Sequence, residues 1–405
     1  MSSFSWLDFS ERDRRRALEV INLFRDRDTV DELGIGTIRD AFAELLLPGT
    51  SIIHTRARYF FFIPWMYLRL ERRKVPSDRI AGEARKFEVG LVEALLASED
   101  NGGTIGRLAR SRLKILPSAI YWQALHRLGF RLFPGTRDQY HRSLDRFYAN
   151  SGRAIRTDDG ELVDRFRTRN WNSRLPEAPE DFARQAHMTM RPVEAEFLRD
   201  QIIYCAPKSL YRYLVEDETP LADAEFPWEY SGLSRLPAYL REQLFHARNF
   251  SEAIRGAPLL YNVMLSEMAK REEWRANYSE RLLGWYEEYE SRASDFAHWD
   301  RRRFWEIVGS SGARVTPGTR AFVERWLDLA ASLSGPQLLE SKEARRLILE
   351  REVSLKRAQS RLENQRALEL WEGEAGTTPI SYRWGIASQM VRDIFDGLSA
   401  GVVNA

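Results

Sequence analysis

Most of this chain carries apolar residues at the three- and four-residue spacing of one helix face. Asp8 or Ser10 is placed to cap a helix running to about residue 26. Residues 35–47 predict an amphipathic helix stopped by Pro48-Gly49, and residues 53–74 a further helix bent at Pro64. Residues 80–97 predict the next. Short helices fit 103–114 and 117–129, the second opening with proline at a favoured first-turn position. This run of short helices, ending in a Gly-Phe-Arg turn, suggests a helix-turn-helix or winged-helix arrangement. The competing reading is the short helical pairing common to all-α proteins.

The stretch 150–185 is polar and turn-rich, with Asp158-Asp159-Gly160, Pro176 and Pro179, and is the best boundary. A second helical region spans about 191–335, with a loop at 308–318. Over 337–371, Leu347, Leu349, Val353, Leu355, Leu362, Leu368 and Leu370 mark an apolar stripe on one long charged helix. The expectation is therefore a mainly α protein, with a winged-helix-like N-terminal part (1–150), a central helical domain (151–335) and a C-terminal region built on a long helix (336–405).

Charge refines this picture. The net charge of the 405 residues is only +2, which excludes a protein that coats nucleic acid by bulk charge. The distribution is uneven: residues 101–150 hold nine Arg or Lys against Asp138 and Asp145. Arg107, Arg110, Arg112 and Lys114 lead that stretch and could follow a phosphate backbone. A solvated basic face is the bland alternative. Twelve tryptophans are a surplus of flat side chains that suits ring stacking as well as core packing. Cys205 is the only cysteine, so no internal disulfide can form, which fits a reducing cytoplasm. It lies in IIYCAP and reads as a core thiol. No signal peptide is visible, and the longest apolar run, Tyr59 to Leu68, is broken by Pro64 and is too short for a bilayer.

Several chemistries lack their motifs. There is no Walker loop, no complete GxGxxG, no CxxC, no HExxH and no GxSxG. The histidines at 54, 126, 141, 187, 246 and 298 are scattered, so no metal and no cofactor is expected. What remains is chemistry that uses carboxylates, arginines and aromatics. Cleavage of a glycosidic bond fits: its oxocarbenium-like transition state is stabilised by a carboxylate, which can also activate water. If the leaving group is a nucleobase, it must first be flipped out and held by stacking.

The stretch with the densest candidate chemistry is 33–68, where Thr50, Ser51, His54, Thr55, Arg56, Arg58 and Tyr59 follow a Pro-Gly turn. Hydroxyls and arginines there could grip an anion or a sugar; salt bridging and core packing are the alternatives. Phe60, Phe61, Phe62 and Trp65 read as core. Tyr121 and Trp122 could stack on a base. Tyr261-Asn262 is a polar pair inside an apolar helix, and Arg383 sits between two aromatics as a clamp or a brace. Asp40 is the leading catalytic carboxylate; Asp8 competes but suits an N-cap, and Glu194 suits a first helical turn.

The segments SWLDFS (5–10), LGIGTIRDAF, PGTSIIHTRARYFFFIPW, PSAIYW and SYRW resemble a prokaryotic family of uncharacterised proteins of about this length. The resemblance runs from Trp6 to beyond Trp384, with TRARYFFFIPW its most specific block. That resemblance implies an association with phage-defence loci. It further implies a DNA glycosylase that removes glucosylated hydroxymethylcytosine from phage DNA. The expected partner is modified DNA, at no membrane. The rival expectation is a non-enzymatic DNA-binding regulator or adaptor of a defence complex. A nuclease ranks third.

Overall fold

A computed structural model describes residues 31–150, 169–182, 184–217 and 224–400. The protein is mainly α-helical: its described residues hold no strand, only isolated bridges at Arg131–Trp171 and Phe182–Gln185. A winged helix needs a β-hairpin wing, and none is formed among these residues. The helix expected from Asp8 or Ser10 lies outside the described residues.

The chain folds as two units, each discontinuous in sequence. One comprises residues 43–236 and 383–405, the other residues 1–42 and 237–382. In the first, the helix Tyr59–Arg72 is enclosed on most of its circumference; Tyr59 through Tyr67 and Leu70 are all buried. Such an all-round apolar helix is stable only as a core element. The helices Ile80–Leu96 and Pro117–Arg127 pack on it, and Pro192–Cys205 packs on Trp384–Ser399. The helices Ile80–Leu96 and Pro117–Arg127 begin and end within two residues of the expected positions, the helix expected from residue 53 begins only at Tyr59, and the helix Trp384–Ser399 was not foreseen.

Glu88 links two of them. Its carboxylate is fully buried and accepts from Ser118 N at 2.6 Å and Ser118 Oγ at 2.9 Å, fastening the start of the helix Pro117–Arg127. Burial raises this carboxyl from 4.5 to about 7. The folded chain thus holds the proton more tightly than the unfolded chain. That contribution is complete below the ordinary pKa and is lost as pH rises through about 7. Glu88→Gln is expected to match the parent in acid and to gain on it as pH rises to 7, by at most about 3 kcal/mol. Denaturant titrations at several pH values check this; a gap that does not vary with pH would refute it.

In the second unit, the helices Gly256–Met268 and Glu272–Ser291 pack tightly together. Gly256 permits the approach: a Cβ there would lie 2.3 Å from the ring of Trp285. The long helix expected at 337–371 is divided into Gly335–Glu340, Lys342–Lys356 and Gln365–Glu369. The first break falls at Ser341, whose side chain caps the next helix by accepting from Ala344 N; the second is made by Glu352, which is buried and accepts hydrogen bonds from Tyr261 Oη, Ser360 Oγ, Arg361 N and Leu362 N. Those bonds turn the chain back on itself just after Arg357, whose φ is +50°. The helix expected at 103–114 is likewise replaced by turns and a 3-10 helix, Arg110–Arg112, with Gly103 and Gly106 at positive φ.

Candidate functional site

A cleft of about 550 Å³ opens in the first unit, within the size range of small-ligand sites. One wall is the C-terminal half of the helix Tyr59–Arg72. The other is the irregular segment 169–182, with Phe147 from the helix Arg137–Asn150. The irregular wall is fixed by its backbone: Leu132 N donates to Asn170 O at 2.8 Å and Asn172 N to Phe130 O at 2.9 Å. Trp65 Nε1 closes it by donating to Pro176 O at 2.7 Å.

The lining combines three chemistries. Trp65, Phe147, Trp171 and Phe182 offer aromatic surface, and Arg69, Arg72 and Arg169 are exposed at its edge. Glu71 supplies a carboxylate. Tyr140 Oη donates to Glu71 Oε1 at 2.6 Å, Asn170 Nδ2 at 3.0 Å and Trp171 Nε1 at 3.1 Å. All three donors converge on one oxygen. Oε2 takes no hydrogen bond among the described residues, so it is the oxygen available to a bound molecule. Burial raises the Glu71 pKa above the ordinary carboxylate value, and the three donors oppose that shift. The arrangement is an anchored carboxyl of increased basicity beside flat apolar surfaces and cations. The sequence reading missed Glu71 as a site residue, because its partners are 69, 99 and 100 residues away along the chain.

The stretch at 50–59 has a different role. Arg58 Nε donates to Glu194 Oε2 at 3.0 Å and Nη2 to Oε1 at 3.2 Å, with the two side chains only 2 % and 0 % exposed. Arg58 Nη1 donates to His187 O at 2.9 Å, and Arg191 also pairs with Glu194. Arg56 Nε donates to both oxygens of Asp393, at 2.9 and 3.0 Å. Asp393 Oδ2 also accepts from Ala57 N at 2.8 Å. These two arginines therefore join the start of the central helix to the helices Pro192–Cys205 and Trp384–Ser399. Arg58 and Glu194, singled out separately from sequence, are each other's partners.

Comparison with known families bears on the whole chain, since a family model matches residues 1–398. The chain belongs to DUF6361, a family of unknown function. No curated protein and no solved structure matches it.

In this DUF6361 member the remaining sequence candidates disperse. Thr50 is buried; its Oγ1 donates to Leu47 O at 2.6 Å and its carbonyl accepts from Arg383 Nη1 at 2.8 Å. Arg383, at φ +67°, is thus a brace on that turn. Ser51 and Thr55 are half-buried. Tyr121 Oη accepts from Thr55 N and Arg56 N at 2.9 and 3.2 Å and donates to Arg56 O, so the ring holds the loop's backbone. Tyr59 Oη accepts from Ile105 N, and Trp122 Nε1 donates to Gly135 O; both side chains are core. Tyr261 and Asn262 belong to the other unit, where Asn262 Nδ2 donates to Pro258 O and Ala375 O. Asp40 is exposed and pairs with Arg39, while Asp8 lies outside the described residues. Cys205 is half-buried rather than a core thiol; its carbonyl accepts from Arg127. Among the described residues, no three His, Cys, Asp or Glu side chains are grouped to hold a metal ion, and no helix is long and apolar enough to cross a membrane.

His54 is stacked on Tyr121 at 4.1 Å, with its Nε2 3.3 Å from Ile120 O. Burial lowers its pKa from 6.5 to about 3, so the ring is neutral at pH 7 and cannot attract phosphate as a cation. Because the folded value lies below the unfolded one, stability is complete above pH 6.5 and falls as pH drops toward 3. His54→Phe keeps the stack and removes the titration. Its stability should decline less steeply than the parent's between those pH values; equal slopes would disprove the assignment.

Proposed function

We propose that this protein is a DNA N-glycosylase that accepts a flipped, modified base in the Glu71 cleft. The observation that carries this reading is the anchored carboxyl of Glu71, with one oxygen uncommitted among the described residues, beside aromatic side chains and exposed arginines. Phe147 is half-buried and suits base stacking, while Trp65, Trp171 and Phe182 are only 2–5 % exposed and form an apolar backing. Arg69, Arg72 and Arg169 suit the phosphates on either side of an extruded nucleotide. Asn172 and Ser173, also in the lining, can hydrogen-bond a sugar carried by the base.

In this reading Glu71 Oε2 accepts a proton from a water whose oxygen bonds to C1′. The C1′–N bond breaks, and its electron pair leaves with the base. The base then takes the proton that Glu71 holds. The products are an abasic site and the free base. The same carboxylate stabilises the positive charge that develops at C1′. The raised pKa strengthens Glu71 as a base. The resemblance to proteins of phage-defence loci favours glucosylated hydroxymethylcytosine as the base removed.

The deciding experiment is mass spectrometry of small molecules released from phage DNA carrying that base, with unmodified DNA alongside and EDTA present. Free modified base and new abasic sites are expected. Folded protein that binds this DNA and releases nothing would overturn the glycosylase reading. It would favour a non-enzymatic DNA-binding regulator or adaptor, a second reading supported by the exposed basic side chains at 107–114.

A further inference from the structure

The loop between the helices Ile80–Leu96 and Pro117–Arg127 presents an apolar side chain where none is expected. Leu108 is 94 % exposed, the most exposed large hydrophobic side chain among the described residues. A single exposed leucine is ordinary on a protein surface. Its setting is not. Arg107, Arg110, Arg112 and Lys114 surround it in the sequence, all four are exposed, and no acidic residue lies between Ile105 and Leu116. Arg110 pairs with Glu93 at 3.2 Å on the surface, while Arg107, Arg112 and Lys114 have no ion-pair partner among the described residues.

The loop is also built to hold its shape. Arg110 N donates to Gly106 O at 2.7 Å, Arg112 N to Ala109 O at 2.8 Å and Leu113 N to Arg110 O at 3.0 Å. Arg85 secures it from the neighbouring helix, with Nη1 donating to Leu113 O at 2.7 Å and Nη2 to Ser111 O at 3.0 Å. Leu113 and Leu116 pack with Val92 in a small apolar cluster beneath. Gly106 sits at φ +87° against Leu113, where a Cβ would come within 2.8 Å of the leucine side chain. Arg110 holds φ +46°, a conformation that non-glycine residues keep only when their surroundings enforce it. So one leucine of this loop is packed inward, and the other is held out among cations.

Resting on the DNA reading above, we propose that Leu108 is a wedge that enters the base stack of duplex DNA, with Arg107, Arg112 and Lys114 on the flanking phosphates. An apolar side chain pushed between base pairs unstacks them and bends the duplex. Cationic neighbours anchor the backbone while it does so. A fixed loop suits the task because little ordering remains to be done on binding. Unstacking also lowers the cost of extruding a base, so a wedge would serve an enzyme that must flip its substrate.

The test uses the full-length protein and a short DNA duplex with 2-aminopurine at its centre, whose fluorescence rises on unstacking. Affinity is read by anisotropy over a range of salt. The parent protein is expected to bind and to raise the fluorescence. Leu108→Ala should abolish the rise and weaken binding roughly tenfold, the scale of one buried leucine. Its salt dependence should be unchanged. Arg112→Ala should instead lower the salt slope by about one. Leu108 is on the surface, so its variant should fold as the parent does, which circular dichroism verifies. A Leu108→Ala protein that still raises the fluorescence fully would overturn the wedge and leave the DNA reading intact. Parent protein that binds without any rise would do the same. Parent protein that binds no duplex would overturn both.

Discussion

Glu71→Gln is expected to fold as the parent does and to release base at least about a hundredfold more slowly, the usual worth of a positioned proton acceptor. The two halves of this expectation come from the two carboxylate oxygens. Oε1 accepts from Tyr140, Asn170 and Trp171, and an amide carbonyl can accept the same three bonds. Oε2 is replaced by an amide nitrogen, which is not basic and cannot take a proton from water. Stability should not suffer. Burial raises the Glu71 pKa, so its ionised form is disfavoured when folded, and a neutral isostere removes that penalty. The measurements are thermal unfolding and base release on the same preparations. Glu71→Ala would be a poorer probe, because it strands three donors and would confuse loss of structure with loss of chemistry. Full activity in Glu71→Gln would remove Glu71 from the reaction. Asp40→Asn, altering an exposed residue paired with Arg39, should leave activity unchanged.

What the sequence revealed, and what it concealed, follows from the range of the interactions. The helices Gly36–Leu46, Ile80–Leu96 and Pro117–Arg127 were legible because their apolar spacing and their Pro and Gly punctuation are local. The segment 337–371 also has helical spacing, yet Glu352 turns the chain at Arg357, and no local rule shows that a glutamate will be buried and capture the backbone beyond it. The dense polar cluster at 50–59 was recognisable as special, but its type was ambiguous. Arginines buried in a core and arginines that grip phosphate look alike until their partners are known. Here the partners, Asp393 and Glu194, lie 337 and 136 residues further on. Glu71 had the opposite difficulty. It stands in an ordinary amphipathic setting, LRLERR, and becomes distinctive only when Tyr140, Asn170 and Trp171 meet it. The basic stretch after residue 101 was visible as charge. That it forms a fixed loop with an outward leucine was not, since two glycines at positive φ replaced the expected helix.

Arg58→Ala should produce the largest loss of stability of any variant considered, about 3–5 kcal/mol, as expected when one partner of a buried ion pair is removed. With domain stabilities of about 5–15 kcal/mol, such a loss would bring the protein near unfolding at ambient temperature. Glu194 is fully enclosed and loses two of its hydrogen bonds, leaving Arg191 and the backbone amide of that residue to hold it. Burial by itself lowers the Arg58 pKa, and Glu194 opposes that shift, so the pair is mutually dependent. The double variant Arg58→Met, Glu194→Leu removes both buried charges, leaving only the part-exposed Arg191 without its partner, and should recover a large part of the loss; a double-mutant cycle in urea measures the coupling. The same variants separate two roles for the TRARYFFFIPW block. If Arg58 gripped phosphate, Arg58→Ala would weaken DNA binding and lower its salt slope while unfolding normally. As an internal tie between the central helix and the helix Pro192–Cys205, it should do the reverse: unfold early, yet bind DNA with an unchanged salt slope at temperatures where it remains folded. Conversely, Arg112→Ala should alter the salt slope and not the stability. The two arginines would then be assigned to the core and to the surface by measurements that do not depend on catalysis.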